Sequence, residues 1–211
     1  MEFCSACGGR IARRIPQGDS RPRHVCTACG TIHYRNPNMV VGAVCVWEDR
    51  VLLARRSIAP REGFWTVPAG FLELEESTAD GALREVFEEA GARCTVDRLL
   101  AVYDIPEIHQ VQIFYLATMT RPEISAGIES VEVGLFTWDE IPWGELAFPT
   151  VKAVLKDWQR LRDGEAVSRR DFIRPKPPVT LPDDQKTPEQ ATDPERPSEP
   201  VAETETPPAM A

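Results

Sequence analysis

The 211-residue chain contains no uninterrupted apolar run of the kind needed to cross a bilayer, which takes about 18 to 20 residues, so a membrane-spanning helix is excluded. Its opening, "MEFCSACGG", lacks the basic-then-apolar layout of a secretory signal, and the expectation is a soluble, cytoplasmic protein. An excess of positive charge is also missing. The net charge of -9 argues against a nonspecific nucleic-acid binder. The first 30 residues reverse the sign, with Arg10, Arg13, Arg14, Arg21 and Arg23 set against Glu2 and Asp19. Aromatic residues are absent from 175–211, where ten of 37 residues are Pro. Too little apolar surface is left there to offset the entropy of ordering. A disordered tail over 175–211, after a linker at 166–174, is the expectation.

Disulfides are not what the six cysteines suggest. Four fall as two Cys-x-x-Cys knuckles, Cys4 with Cys7 and Cys26 with Cys29, the usual spacing of a tetrahedral zinc site. The surrounding segment, 1–36, is rich in Gly, Arg and Cys and poor in core-forming side chains, so a structural Zn²⁺ would supply its stability. A Gly follows the second ligand of each knuckle and suits a tight turn. Cys45 and Cys94 lie in apolar, strand-like runs and read as small buried hydrophobes.

Residues 37–165 read as an α/β domain. Period-2 or continuous apolar runs predict strands at 39–47, 50–56, 94–105, 109–120 and 130–138, with Val111, Ile113 and Tyr115 on one face. Helical spacing predicts a helix from Ser77 to Ala90, with a buried stripe of Ala79, Ala82, Leu83, Val86, Phe87 and Ala90. A second helix over 150–161 follows Pro149 and buries Val151, Val154, Leu155 and Trp158. Trp138, Trp143 and Phe148 read as packing for that helix, and "GFWTVPAG" reads as a shaped loop.

The first helix carries Glu85, Glu88 and Glu89 within one turn, toward the end where the helix dipole disfavours negative charge. Arg84 is the one basic residue among them, and Glu76 lies on its flank. Three clustered carboxylates without cationic partners imply a hard cation held by oxygen ligands, Mg²⁺ or Mn²⁺.

Gly70, five residues, Glu76, seven residues, then "REVFEEAGA" from Arg84 resembles the signature of the Nudix hydrolases at every fixed position. The resemblance implies an α/β/α sandwich with a mixed sheet, preceded by a small N-terminal zinc ribbon. It further implies Glu85, Glu88, Glu89 and the Ala69 carbonyl as Mg²⁺ or Mn²⁺ ligands, Glu76 paired with Arg84, and water attack on a nucleoside diphosphate derivative. Glu89, Glu129 or Glu132 would take the proton from water, with Glu129 favoured as base and Glu132 as a structural or metal-contacting group.

Over about 3–160 the chain is similar to a zinc-ribbon Nudix subgroup that includes plant chloroplast FAD/ADP-ribose pyrophosphatases and bacterial relatives. FAD or ADP-ribose is the expected substrate, with NADH cleavage as the alternative. The motif "SQPWPFP" of the NADH group is replaced here by "RLLAVYDIPEIHQVQIF". The residues expected to hold the small dinucleotide or nucleotide-sugar are Arg55, Arg56, Arg61, Phe64, Trp65, Tyr103, His109 and Phe114. A homodimer with the zinc module as brace is expected. The rival is a catalytically silent, RNA-binding or regulatory protein that merely keeps the fold.

Overall fold

Two apolar runs meet at Glu48 and Asp49 and form a hairpin of β4 (Asn38–Trp47) and β5 (Arg50–Arg56). Only its closed end stays paired, Val46 with Val51 and Trp47 with Arg50, and beyond that the two strands diverge. The chain is known here from a computed structural model that describes residues 1–165. The linker and tail expected at 166–174 and 175–211 lie outside the described residues.

The wedge between β4 and β5 is filled by the segment read as a loop, which forms two short strands. β6 (Trp65–Thr66) pairs with β5, and β7 (Ala69–Phe71) pairs with β4. The segment is too short to show a period, so its strands were not legible. Helix α1 (Thr78–Ala90) follows, then β8 (Cys94–Ile105), β9 (Gln110–Met119), β10 (Ser130–Phe136) and α2 (Pro149–Arg162). The sheet runs β10-β5-β4-β9-β8. β4 and β9 are parallel, with Asn38 opposite Gln110 through Val46 opposite Thr118, and the other pairings are antiparallel.

Both faces of the sheet are covered, as alternation along β4 requires. Val44 points to a cluster with Leu53, Trp65, Phe114, Val154 and Trp158 under α2. Ala43 and Cys45 point to Leu52, Val86, Ala90 and Ala117 under α1. By the same alternation Val111, Ile113 and Tyr115 share one face of β9, as expected. Val111, Ile113 and Tyr115 are half-buried, while Phe114, Ala117 and Met119 are buried, because β9 sits between two strands with a helix on each side.

Ser77 is the N-cap of α1, its hydroxyl accepting from the Asp80 amide at 3.1 Å, and Gly91 ends the helix in the left-handed region. The contact ridge is narrower than the expected stripe: Ala82, Val86 and Ala90 are buried. Phe87 is 50% exposed at the margin, beneath the Arg93 guanidinium at 5.0 Å. Small residues along the ridge bring α1 close to the sheet, and that closeness positions its carboxylates. Helix α2 buries Val151, Val154, Leu155 and Trp158 as expected. No helix among the described residues is long and apolar enough to cross a membrane.

The cysteine segment forms its own three-stranded antiparallel sheet, β1 (Ile11–Arg14), β2 (Arg23–Cys26) and β3 (Ile32–His33). Very little is buried there beyond Cys4, Val25 and Cys26.

Candidate active site

Arg84 is the hub of the acidic cluster. Its Nε donates to Glu76 Oε2 at 3.0 Å and its Nη2 to Glu76 Oε1 at 2.8 Å, a two-point clamp. Nη2 also donates to the Phe71 carbonyl at 3.0 Å, tying the helix to β7. Nη1 reaches across to Glu85 at 2.7 Å and Glu88 at 3.0 Å. The clamp holds the Glu76 carboxyl down to about 2, through Arg84 first and then the Glu73 amide. The Arg84–Glu76 pair expected from sequence is present, and the same guanidinium also serves two of the clustered glutamates.

Glu89 is placed differently. It is 6% exposed, and its Oε2 is buried without a hydrogen-bond partner. Burial first, then the charge of Glu85, push its carboxyl up to about 8; the Ala69 amide and Arg56 pull the other way. Glu85 is likewise raised, chiefly by burial, against the pull of Arg84. A buried carboxylate oxygen with nothing to bind is costly. A cation would partner such an oxygen, and the Arg84 guanidinium already bridges the neighbouring Glu85 and Glu88. The donors are all oxygens, which suits Mg²⁺ or Mn²⁺. The residues present therefore fit the expected metal.

Gly70, the first glycine of the signature, has a steric role. A Cβ on Gly70 would overlap the Glu85 carboxylate, so Gly there leaves the room in which that carboxylate sits. Gly70→Ala is expected to displace Glu85 and cost about 10²-fold in turnover, as small misplacements at reacting centres do. Unchanged circular dichroism beside that loss is the outcome to look for; full activity would contradict the packing argument.

Glu129 and Glu132 part company. The loop before β10 is latched to the end of α1, with the Ser125 amide on Ala90 O at 2.9 Å and the Gly127 amide on Glu89 O at 3.0 Å. Any side chain at Gly127 would strike the Glu88 carbonyl. Ser57 fixes the other end of the loop, its amide donating to Glu129 O at 2.9 Å and its hydroxyl to Ile128 O at 2.9 Å. Glu129 is thereby held near enough for its charge to raise both Glu85 and Glu89. Glu132 instead faces Arg55, 3.3 Å away. The latch was missed in the sequence; the small residues of "SAGIES" were the signal for it.

The residues expected to grip substrate scatter. Trp65 is 7% exposed, edge-on to Phe136, and Phe114 is 2% exposed. Both belong to the core under α2, which corrects their assignment as stacking surfaces, because neither leaves a ring face free. Tyr103 sends its hydroxyl to Asp157 Oδ2 at 2.7 Å. His109 is exposed at the β8–β9 turn, its carbonyl accepting from the Asn38 amide at 2.8 Å. Phe64 is half-buried beneath the Arg61 guanidinium at 5.3 Å. Arg56 lies 5.3 Å over the Phe148 ring, and its charge reaches Glu89. Arg55 is tied to Gly63 O at 2.8 Å.

The sulfurs of Cys4, Cys7, Cys26 and Cys29 lie within 4.8 Å of one another, a metal-binding group. Gly8 and Gly30 turn the chain after each knuckle with φ of 72° and 75°. The Ala28 and Cys29 amides both point at Cys26 Sγ from 3.4 Å. Thr31, by hydroxyl and amide, holds the Cys29 thiol down to about 6. His33 Nε2 lies 3.2 Å from Cys4 Sγ, a neighbour that sequence spacing did not reveal. The cluster fits a structural zinc ion.

Comparison with known proteins agrees with this geometry. The NUDIX domain family matches residues 36–158, and the Nudix N-terminal zinc-ribbon family matches residues 2–35. A crystal structure of a NUDIX hydrolase from Nitrosomonas europaea is similar at a TM-score of 0.76 and 46% identity, covering 79% of this chain and 96% of that one. An ADP-ribose pyrophosphatase of Methanocaldococcus jannaschii is 30% identical over 135 residues, 62% of this chain and 78% of that protein. The NAD-capped RNA hydrolase NudC of Vibrio parahaemolyticus is 36% identical over 91 residues, 43% of this chain but only 33% of that protein. The silent-protein rival is set aside. With fold, cassette and family match in agreement, the chain belongs to the Nudix family and is a pyrophosphohydrolase acting on phosphorus-containing anhydrides of the nucleotide-diphosphate type.

Proposed function

We propose that this hydrolase splits the diphosphate bridge of ADP-ribose or FAD, with Mg²⁺ or Mn²⁺, releasing AMP together with ribose 5-phosphate or FMN. The observation carrying the reading is the buried, unpartnered Glu89 Oε2 beside Glu85 and Glu88. The likeness to a protein named ADP-ribose pyrophosphatase supports the substrate class.

Glu85, Glu88, Glu89 and the Ala69 carbonyl would hold the cation. Bound there, it would neutralise phosphoryl oxygens and acidify water. The chain's own residues do the rest. Glu76 anchors Arg84 through two hydrogen bonds, so the guanidinium keeps its place when Glu85 and Glu88 turn to a cation. Glu129 takes the proton from the attacking water; its loop, pinned between α1 and Ser57, sets its reach. Glu132 steadies Arg55. Arg56 would meet the substrate's phosphate, while Arg61, Phe64, Tyr103 and His109 are the remaining contacts to test. The same reading has the protein act as a cytoplasmic homodimer on small molecules rather than nucleic acid, in keeping with its net charge of -9.

Incubation with ADP-ribose, FAD and NADH in Mg²⁺, with products separated by chromatography, tests the reading. AMP from the first or second substrate is expected, and turnover of neither overturns it. Glu129→Gln should lower kcat by about 10²–10⁴-fold with little change in KM, the mark of a lost general base.

A further inference from the structure

A cavity of about 270 Å³ opens beside the N-terminal end of α2, lined by Arg61, Trp143, Leu146, Phe148 and Lys152 among others. Its composition is two-sided. Trp143, Leu146 and Phe148 give an apolar, partly aromatic surface, and Arg61 and Lys152 set two cations at its rim. No carboxylate lines it, and among the described residues neither cation is in an ion pair. Aromatic faces beside unpaired cations suit a planar ring that carries an anion.

The walls are built rather than draped. On one side the β5–β6 loop is cross-tied by the Gly63 amide on Arg56 O at 2.8 Å, Arg55 Nε on Gly63 O at 2.8 Å and Arg56 Nε on Pro60 O at 2.9 Å. On the other, Trp65 grips the segment before α2, its amide donating to Glu145 O at 2.9 Å and its carbonyl accepting from the Ala147 amide at 2.8 Å. Trp143 is braced edge-on by Trp138, ring centres 4.7 Å apart. One wall is thus held by the end of β5 and the other by β6, which pair with each other.

A relay of contacts links the cavity to the carboxylates. Phe148 presents one part to it and lies under Arg56 at 5.3 Å. The next residue, Ser57, holds Glu129 O, and the Glu129 loop holds Glu89 O through Gly127. Pockets for whole ligands start at about 300 Å³, so this one suits a single arm of a dinucleotide.

We infer that the cavity seats the nucleoside monophosphate arm of the substrate, the base against Trp143 and Phe148 and phosphate oxygens at Arg61 and Lys152. The inference rests on the dinucleotide reading above and names the AMP arm, which ADP-ribose and FAD share. It also makes AMP a retained product.

Calorimetry on the zinc-loaded protein without Mg²⁺ isolates the cavity from catalysis, with AMP, adenosine and ribose 5-phosphate as probes. AMP is expected to bind at least tenfold more tightly than either fragment. Arg61→Gln with Lys152→Gln should weaken AMP at least tenfold while leaving thermal melting in place, since both side chains sit at the rim. Trp143→Ala should weaken AMP and adenosine together, and in turnover the double variant should raise KM far more than it lowers kcat. AMP binding no tighter than adenosine, or unchanged in the double variant, overturns the inference. If dinucleotides are cleaved and AMP fails to bind, the cavity assignment alone falls; if AMP binds and no dinucleotide is cleaved, the substrate reading falls instead.

Discussion

Glu89→Gln is expected to abolish most turnover and, in Mg²⁺-free protein, to make the fold more stable above neutral pH. Both effects follow from one buried oxygen. In the fold the Glu89 carboxyl is pushed up to about 8, by burial first and by Glu85 second, whereas an unfolded Glu titrates near about 4.3. The folded state thus keeps a proton that the unfolded state gives up between those values. Stability from this group is fully present below about 4.3 and is lost as pH rises toward 8. Glutamine keeps the neutral shape and removes the loss, a gain of at most about 5 kcal/mol at pH 8. Melting curves from pH 5 to pH 9 should fall for wild type and stay flatter for the variant.

Added Mg²⁺ should raise the wild-type melting temperature at pH 8, because a ligand bound only by the folded state stabilises it. The variant should respond weakly, and its turnover should drop by about 10²–10⁴-fold, the range set by losing a group that acts at the reacting centre. A Glu89→Gln protein with full turnover and an unchanged Mg²⁺ response would remove the basis for the enzymatic account. A variant that is more stable and inactive shows strain kept for function.

Why this site was legible in advance, and the cavity was not, comes down to range. Glu85, Glu88 and Glu89 belong to one helical turn, so spacing alone puts them together, and Gly70 and Glu76 lie within 20 residues of them. The same holds for the knuckles, where each ligand pair is local and only two segments must meet. The parallel pairing of β4 with β9 joins residues about 70 positions apart, and no local pattern records it. Trp65 and Phe114 show the limit from another side. An aromatic residue near a glycine-rich turn has the same sequence appearance whether its ring faces ligand or core, and only the packing of α2 against the sheet decides for core. Trp143 and Phe148 were read as packing for α2. They do pack there, yet each also lines the cavity, because a ring has two faces and a sequence pattern reports neither. Phe87 failed in the opposite sense, since the alanine ridge beside it already fills the contact with the sheet.

Cys26→Ser is expected to remove zinc and unfold the N-terminal module while the α/β domain survives. The module's three strands pair only with one another, in a sheet separate from the seven-stranded one. Val25 and two of the cysteines account for its buried apolar residues, far too little to offset the ordering of some 35 residues at about 1–2 kcal/mol each for the backbone. In small zinc modules metal binding is coupled to folding itself, so the ion supplies stability that burial here does not. Cys26 is the most exacting of the four positions, fully buried and receiving two backbone amides. Serine there would offer a poorer ligand to zinc and a smaller, harder atom to those amides. Metal analysis should give one zinc per wild-type chain and none for the variant. Limited proteolysis should then cut within residues 1–36 while the fragment beginning near Asn38 resists. The two buried layers of the domain, under α1 and under α2, contain no residue of the module, so that fragment's melting transition should persist. A variant that keeps its zinc, or that loses zinc without new cleavage in the module, would show that hydrophobic contacts carry the fold of this segment.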